Sequence, residues 1–155
     1  PSLKKNKNML NQKVSIIIRT KNEEKWVGLC LDAIYKQTYK NFEVIIVDNS
    51  STDGTVKKAN QWPIKLVSIK KFLPGDAINK GIQASSGDLI VCLSAHCIPA
   101  SINWLKNIIS PLESPNIVFY VRVLREITYF QKTTQNWVFF QGVISHQLFL
   151  LYYKN

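Results

Sequence analysis

The sequence predicts an α/β domain: a mainly parallel sheet with helices on both faces, incomplete at its C-terminus. Three observations predict it. The short runs Val14 to Ile18 and Glu43 to Val47 are apolar, β-branched and continuous, and each stops at a polar turn. Continuous rather than alternating runs mark strands covered on both faces, as in parallel sheets. Segments of helical period separate these two runs and two later ones, and strand–helix alternation repeated four times implies parallel strands joined by right-handed crossovers.

The elements follow in order. Residues 1–13 are rich in Lys and Asn and read as a loose basic tail. The first strand is Val14 to Ile18. Asn22 is placed to cap the next helix, with Glu23 and Glu24 at its positive end. Trp26, Val27, Cys30, Leu31 and Ile34 recur at helical spacing and predict the face that packs on the sheet. The second strand is Glu43 to Val47. The turn Ser50 to Gly54 leads into a helix reaching about Gln61, and Pro63 closes it. Ile64 to Ile69 is the third strand. Pro74 suits a first helical turn, Gly81 permits close approach to the sheet, and Gly87 is placed as a C-terminal cap. Asp88 to Leu93 is the fourth strand. Pro99 and Ser101 introduce a helix carrying Ile102, Leu105, Ile108 and Ile109, which Pro111 ends.

The nucleotide-binding type of domain is thus expected over residues 14–118. Ile117 to Leu124 reads as a fifth strand. Residues 119–155 change character: aromatics crowd between Trp137 and Tyr153, turn residues are sparse, and Glu126 is the one carboxylate. This segment reads as aberrant or truncated, with a sequence out of frame after Val118 as one explanation and an interfacial or partner-binding helix as another. It is too interrupted for a membrane span.

At 155 residues the chain supports one domain with a core, and 46% apolar with 19% charged residues excludes a disordered class. A net charge of +10 favours acidic partners such as nucleotide phosphates or anionic lipid. No basic stripe interleaved with aromatics marks a nucleic-acid module, so nucleic acid is not an expected partner. Cys30, Cys92 and Cys97 form no disulfide framework and no zinc spacing, which points to reduced thiols in a cytoplasmic setting with room for peripheral membrane contact. The first residue is Pro1 and no signal peptide follows, so the chain reads as a fragment.

Ligands of such sheets bind at the carboxyl ends of the strands. The polar groups expected there are Arg19 to Asn22, Asp48 to Ser50, and Ser94 to His96. The wording of these turns resembles that of the family 2 glycosyltransferases of the GT-A fold. Thr20-Lys21-Asn22-Glu23 matches that family's first turn. Asp48-Asn49-Ser50-Ser51-Thr52-Asp53-Gly54-Thr55 matches its second, and Asn79-Lys80-Gly81 a later helix element. The resemblance covers about residues 13 to 110. It implies an enzyme that moves a sugar from a nucleotide-sugar donor to an acceptor hydroxyl of a glycan, lipid or other molecule, with inversion.

By that resemblance Asp48 accepts a hydrogen bond from the nucleotide base, and Thr20 and its neighbours line base and ribose, whereas Asp53 reads as structural, fixing the turn before the helix. The expected donor site is Thr20, Asn22, Glu23, Asp48, Asn49, Asn79, Lys80 and Ser94. Relatives hold a divalent metal, Mg²⁺ or Mn²⁺, on an Asp-x-Asp motif after the fourth strand. Here that position is Ser94-Ala95-His96, which leaves His96 as the candidate metal ligand and Lys21 or Lys80 as cations for phosphate. No catalytic base is recognisable, since Glu113 and Glu126 are the carboxylates after Ser94 and neither sits in a matching motif. Two other readings stay open. One is a fragment that binds nucleotide without catalysis. The other is a different α/β nucleotide enzyme such as a nucleotidyltransferase, which needs a glycine-rich phosphate loop, whereas Arg19 to Glu24 contains no glycine.

Overall fold

A computed structural model of the chain describes residues 11–70, 73–110, 121–123, 126–128 and 148–153. Four strand–helix units run in series: β1 (Val14–Thr20), α1 (Glu24–Tyr35), β2 (Phe42–Asp48), α2 (Thr55–Ala59), β3 (Lys65–Ser68), α3 (Pro74–Ala84), β4 (Leu89–Ser94) and α4 (Trp104–Ile109). Three strands follow: β5 (Val121–Val123), β6 (Glu126–Thr128) and β7 (Leu148–Tyr153). The described strands form one sheet in the order β3-β2-β1-β4-β7-β5-β6. β1 lies parallel between β2 and β4, and β3 is parallel to β2. β7 runs antiparallel on the other side of β4 and pairs with β5.

The period-2 alternation of the strands assigns their side chains to two faces. On one face Ile16, Ile18, Ile46, Val91 and Leu93 meet Val27, Cys30, Leu31 and Ile34 of α1, Ala59 of α2, and Leu105, Ile108 and Ile109 of α4. On the other, Ile17, Ile45, Val47, Ile90 and Cys92 meet Ala77 and Ile78 of α3. Each fully buried aliphatic side chain contributes roughly 1.5–3 kcal/mol. α3 reaches the sheet because Gly81 has no side chain. A Cβ there would stand 2.5 Å from Ile17 Cγ2 and 3.2 Å from Val47 Cγ2. The expected α/β architecture with helices on both faces is the one found.

Four local expectations are corrected. Trp26 is 37% exposed rather than packed on the sheet, with Lys25 Nζ 4.8 Å over its ring. Ile102 precedes α4 and is 56% exposed. Asn22 does not cap α1: its side chain makes no cap bond and turns to the second loop instead. Gly87 is not a left-handed cap, since no glycine has positive φ among the described residues and α3 closes at Ser85 in an extended conformation. Glycine is required at 87 by proximity, because a Cβ would stand 2.7 Å from the Lys13 carbonyl oxygen and 2.8 Å from the Ser15 nitrogen.

That contact belongs to a knot at the amino ends of the strands. Glu43 accepts hydrogen bonds from Ser15 Oγ (2.5 Å), the Ser86 N–H (2.6 Å), Ser86 Oγ (3.0 Å), the Gly87 N–H (3.2 Å) and Lys13 Nζ (3.2 Å). Burial alone would raise its pKa. The bonds from Ser15, Ser86 and Lys13 outweigh burial and hold the carboxyl down at about 2. Lys13 also accepts the Leu89 N–H on its carbonyl, and Gln12 is buried. The entry to the sheet is therefore locked by one carboxylate.

Candidate functional site

The carboxyl ends of β1, β2 and β4 bring most of the expected residues together. The parallel register sets Thr20 opposite Asp48 and Arg19 opposite Ser94. Asp48 is 3% exposed. Its Oδ1 accepts from Thr20 Oγ1 at 2.9 Å and from Ser51 Oγ at 2.5 Å, while its Oδ2 accepts the Ser51 N–H at 2.9 Å. A carboxylate oxygen can take about two donors. Oδ1 is filled, and among the described residues Oδ2 has one donor of the two it can take. Ser51 does not stand out in the sequence as a site residue, although a serine three residues after an aspartate is a turn signal.

The turns after β1 and β2 are zipped together. Asn22, in the left-handed region at φ 53°, accepts the Thr52 N–H on Oδ1 at 2.9 Å, and its own N–H donates to Ser51 Oγ at 2.9 Å. Asparagine tolerates that backbone better than most residues. The Glu23 N–H donates to Thr55 Oγ1 at 2.7 Å, and the Glu24 N–H to Asp53 Oδ2 at 3.1 Å. Asp53 Oδ1 also takes the Thr55 N–H (2.9 Å) and hydroxyl (2.5 Å). These bonds, that from the Thr55 hydroxyl foremost, hold the exposed carboxyl of Asp53 below its usual range. α1 is thus capped from the second loop, and Asp53 fixes the turn as its sequence position implies. Asn49 donates its N–H to the Thr20 carbonyl at 3.0 Å. Lys21 Nζ donates to the carbonyls of Asn49 and Ser50, both at 2.7 Å, so its ammonium joins the loops.

The β4 end is built differently. His96 Nδ1 lies 3.0 Å from Glu23 Oε1 and 3.2 Å from Ser94 Oγ. Among the described residues no group of three or more His, Cys, Asp or Glu is placed to hold a metal ion. One carboxylate and one imidazole in mutual contact do not fit a protein-held cation of the Asp-x-Asp kind, because the second hard, charged ligand is absent. His96, the expected metal ligand, is a partner of Glu23. Asn79 and Lys80 lie exposed on α3, and Lys80 Nζ pairs with Asp76 of the same helix at 3.2 Å. The three cysteines are free and buried, as their count suggests. Burial pushes the thiols of Cys30 and Cys92 up to about 12. Neither is a nucleophile at neutral pH.

A mainly parallel sheet covered on both faces, with a buried acceptor carboxylate at the carboxyl end of β2 and the strand order reversing next to it between β1 and β4, is the arrangement of a nucleotide-binding α/β domain. Comparison with known proteins specifies it. Residues 15–153 match the family model Glycosyl transferase family 2, and the chain belongs to that family. It is similar to a dolichyl N-acetyl-alpha-D-glucosaminyl phosphate 3-beta-D-2,3-diacetamido-2,3-dideoxy-beta-D-glucuronosyltransferase of Methanococcus voltae, 36% identical over 122 residues, covering 73% of this chain and 35% of that protein. The glycosyltransferase AglE of Haloferax volcanii is 32% identical over 112 residues, covering 67% and 36%. Among solved structures, a mannosyltransferase from Pyrobaculum calidifontis in complex with GDP-Man and Mn²⁺ superposes with a TM-score of 0.63 at 26% identity, over 71% of this chain and 34% of that one. The glucosyl-3-phosphoglycerate synthase of Mycobacterium tuberculosis, with Mn²⁺, UDP and phosphoglyceric acid, shares the fold with a TM-score of 0.62 at 22% identity, covering 71% and 42%. The fold is GT-A. The chain spans about a third of the length of the Methanococcus and Haloferax relatives. Among the described residues no helix is long and apolar enough to cross a membrane.

Proposed function

We propose that the chain is the donor-binding part of a glycosyltransferase that moves a sugar from a nucleotide-sugar to an acceptor hydroxyl, by in-line displacement with inversion. The single observation that carries the reading is Asp48. Its carboxylate is buried at the end of β2 and held by Thr20 and Ser51, with one acceptor position on Oδ2 not taken by any of the described residues. That is what a base N–H requires. Thr20 and Asn49 line the base and ribose, and Ser94 faces the diphosphate. Asn22 and Glu23 act by holding the two loops in register. The nucleoside diphosphate leaves as the acceptor oxygen attacks the anomeric carbon and its proton passes to a base or to water, and positioning with charge stabilisation supplies most of the rate.

Ser94 and His96 bring no negative charge to the place where relatives carry paired aspartates, so this reading assigns the protein no metal cage of its own. The side chains of Glu113 and Glu126, the carboxylates after Ser94, lie outside the described residues. The chain by itself is accordingly expected to bind a nucleoside diphosphate or its sugar and to transfer sugar poorly. Calorimetry with UDP, GDP and their sugars, paired with transfer assays with and without Mn²⁺, tests this. Micromolar to millimolar binding with little turnover supports it. Absence of binding to every nucleotide removes it, and robust turnover by the chain alone overturns the expected incompleteness.

A further inference from the structure

The site contains one cation whose role the donor-site reading leaves open. Arg19 is the penultimate residue of β1, half-buried, with its Nε buried and, among the described residues, without a hydrogen-bond partner. Among the described residues it enters no ion pair, whereas Lys13, Lys36 and Lys80 all do. Lys21 is held by two loop carbonyls. The register pairs Arg19 directly with Ser94, so the two side chains stand on the same face of the sheet at the carboxyl end. Its cation is also felt by the Cys92 thiol, lower on that face. A half-buried guanidinium with an unused donor costs stability unless something answers it.

We infer that Arg19 is the receptor for the diphosphate of the donor, its guanidinium taking phosphate oxygens beside Ser94. This inference rests on the donor-site reading above. Guanidinium suits the role because it is planar, always charged and able to grip two oxygens at once. A cation fixed in the sheet would stabilise the growing charge on the β-phosphate of the leaving nucleoside diphosphate, at a strand end where Ser94 and His96 supply no paired carboxylates to hold an ion.

The test uses the full chain and its Arg19→Gln, Arg19→Lys and Arg19→Met variants. Binding of UDP, GDP, uridine, guanosine and inorganic pyrophosphate is measured by calorimetry and ligand-observed NMR, with thermal unfolding of the ligand-free proteins alongside. The expected result is a loss of tenfold or more in nucleoside diphosphate and pyrophosphate affinity for Arg19→Gln, with nucleoside affinity within twofold and partial recovery in Arg19→Lys. Arg19→Met is expected to keep or raise the melting temperature, which a purely structural arginine would not allow. Unchanged diphosphate affinity in Arg19→Gln, or equal loss of nucleoside and diphosphate, overturns the inference. Wild-type protein that binds nucleosides but gains nothing from the diphosphate overturns it while leaving the donor-site reading standing. Wild-type protein that binds neither removes both.

Discussion

Two carboxylates sit near opposite ends of β2, and they are used in opposite ways. Glu43 at the amino end collects donors from a serine hydroxyl, two backbone N–H groups, a second serine and a lysine, on both of its oxygens. Asp48 at the carboxyl end collects three, two of them on one oxygen. A saturated carboxylate has nothing left for a ligand and is architecture. A carboxylate oriented by its neighbours but not filled is a receptor. The contrast separates holding the sheet from using it, and variants at each end can break it.

The largest effect is expected at the amino end. Gly87→Ala drives a Cβ into backbone atoms of Lys13 and Ser15, which cannot move without pulling β1 from β4. A loss of about 3 kcal/mol or more in urea unfolding is expected, the upper range for overpacking. A variant as stable as wild type would mean that the strands adjust freely there. Glu43→Gln comes next, at about 1–2 kcal/mol. That is below what linkage gives for the full displacement of its pKa, because the carboxylate is near the rim and screened by solvent. The sign follows from the direction. The folded pKa lies at about 2, below the ordinary value of 4.5, so the stabilisation is complete above about pH 5 and is lost as pH falls toward 2. Wild-type and variant unfolding curves should therefore converge in acid, and divergence there would refute the assignment. Neither variant, when folded, should alter nucleotide affinity.

At the carboxyl end the readout changes from stability to binding. Asp48→Ala is expected to weaken nucleoside diphosphate binding by about 1–3 kcal/mol, the range for a stranded hydrogen-bond partner. It also strands Thr20 and Ser51, so Ser51→Ala serves as its companion. That variant removes the hydroxyl donor to Asp48 and keeps the backbone one. It should lower stability by about 1 kcal/mol and leave affinity within twofold. Equal loss of affinity in both would make Asp48 a brace rather than a receptor.

Much of this was legible in the sequence, for identifiable reasons. β1, β2 and β4 announce themselves because both faces are covered, so apolar residues need no alternation. Thr20 and Asp48 were findable because a polar residue closing such a run must lie at the sheet edge. Partnerships made across long loops were not. Asn22 looks like a helix cap by local spacing, and only the folded chain shows Thr52 competing successfully for its side chain. Glu43 opens an ordinary strand, and nothing local foretells Ser86 arriving 43 residues later. Trp26 falls on helical spacing but lies at the edge of the stripe, where the sheet no longer reaches.

The smallest effect is expected at His96, and it bears most on how the two ends of the sheet differ. His96 and Glu23 are paired at 3.0 Å, with His96's side chain 39% exposed and that of Glu23 20%. Pairs this open contribute roughly 0–1 kcal/mol. His96→Ala is therefore expected to change the unfolding free energy by no more than about 0.5 kcal/mol, far less than either change at the amino end. Its effect on donor binding is a separate matter. If the β4 end works without a protein-held cation, Mn²⁺ should add the same increment to UDP affinity in wild type and in His96→Ala, because the ion then travels with the diphosphate. An increment present in wild type and abolished in His96→Ala would make the imidazole a metal ligand. Glu23 would then be its second, and the saturated amino end would face a carboxyl end that recruits its charge from solution.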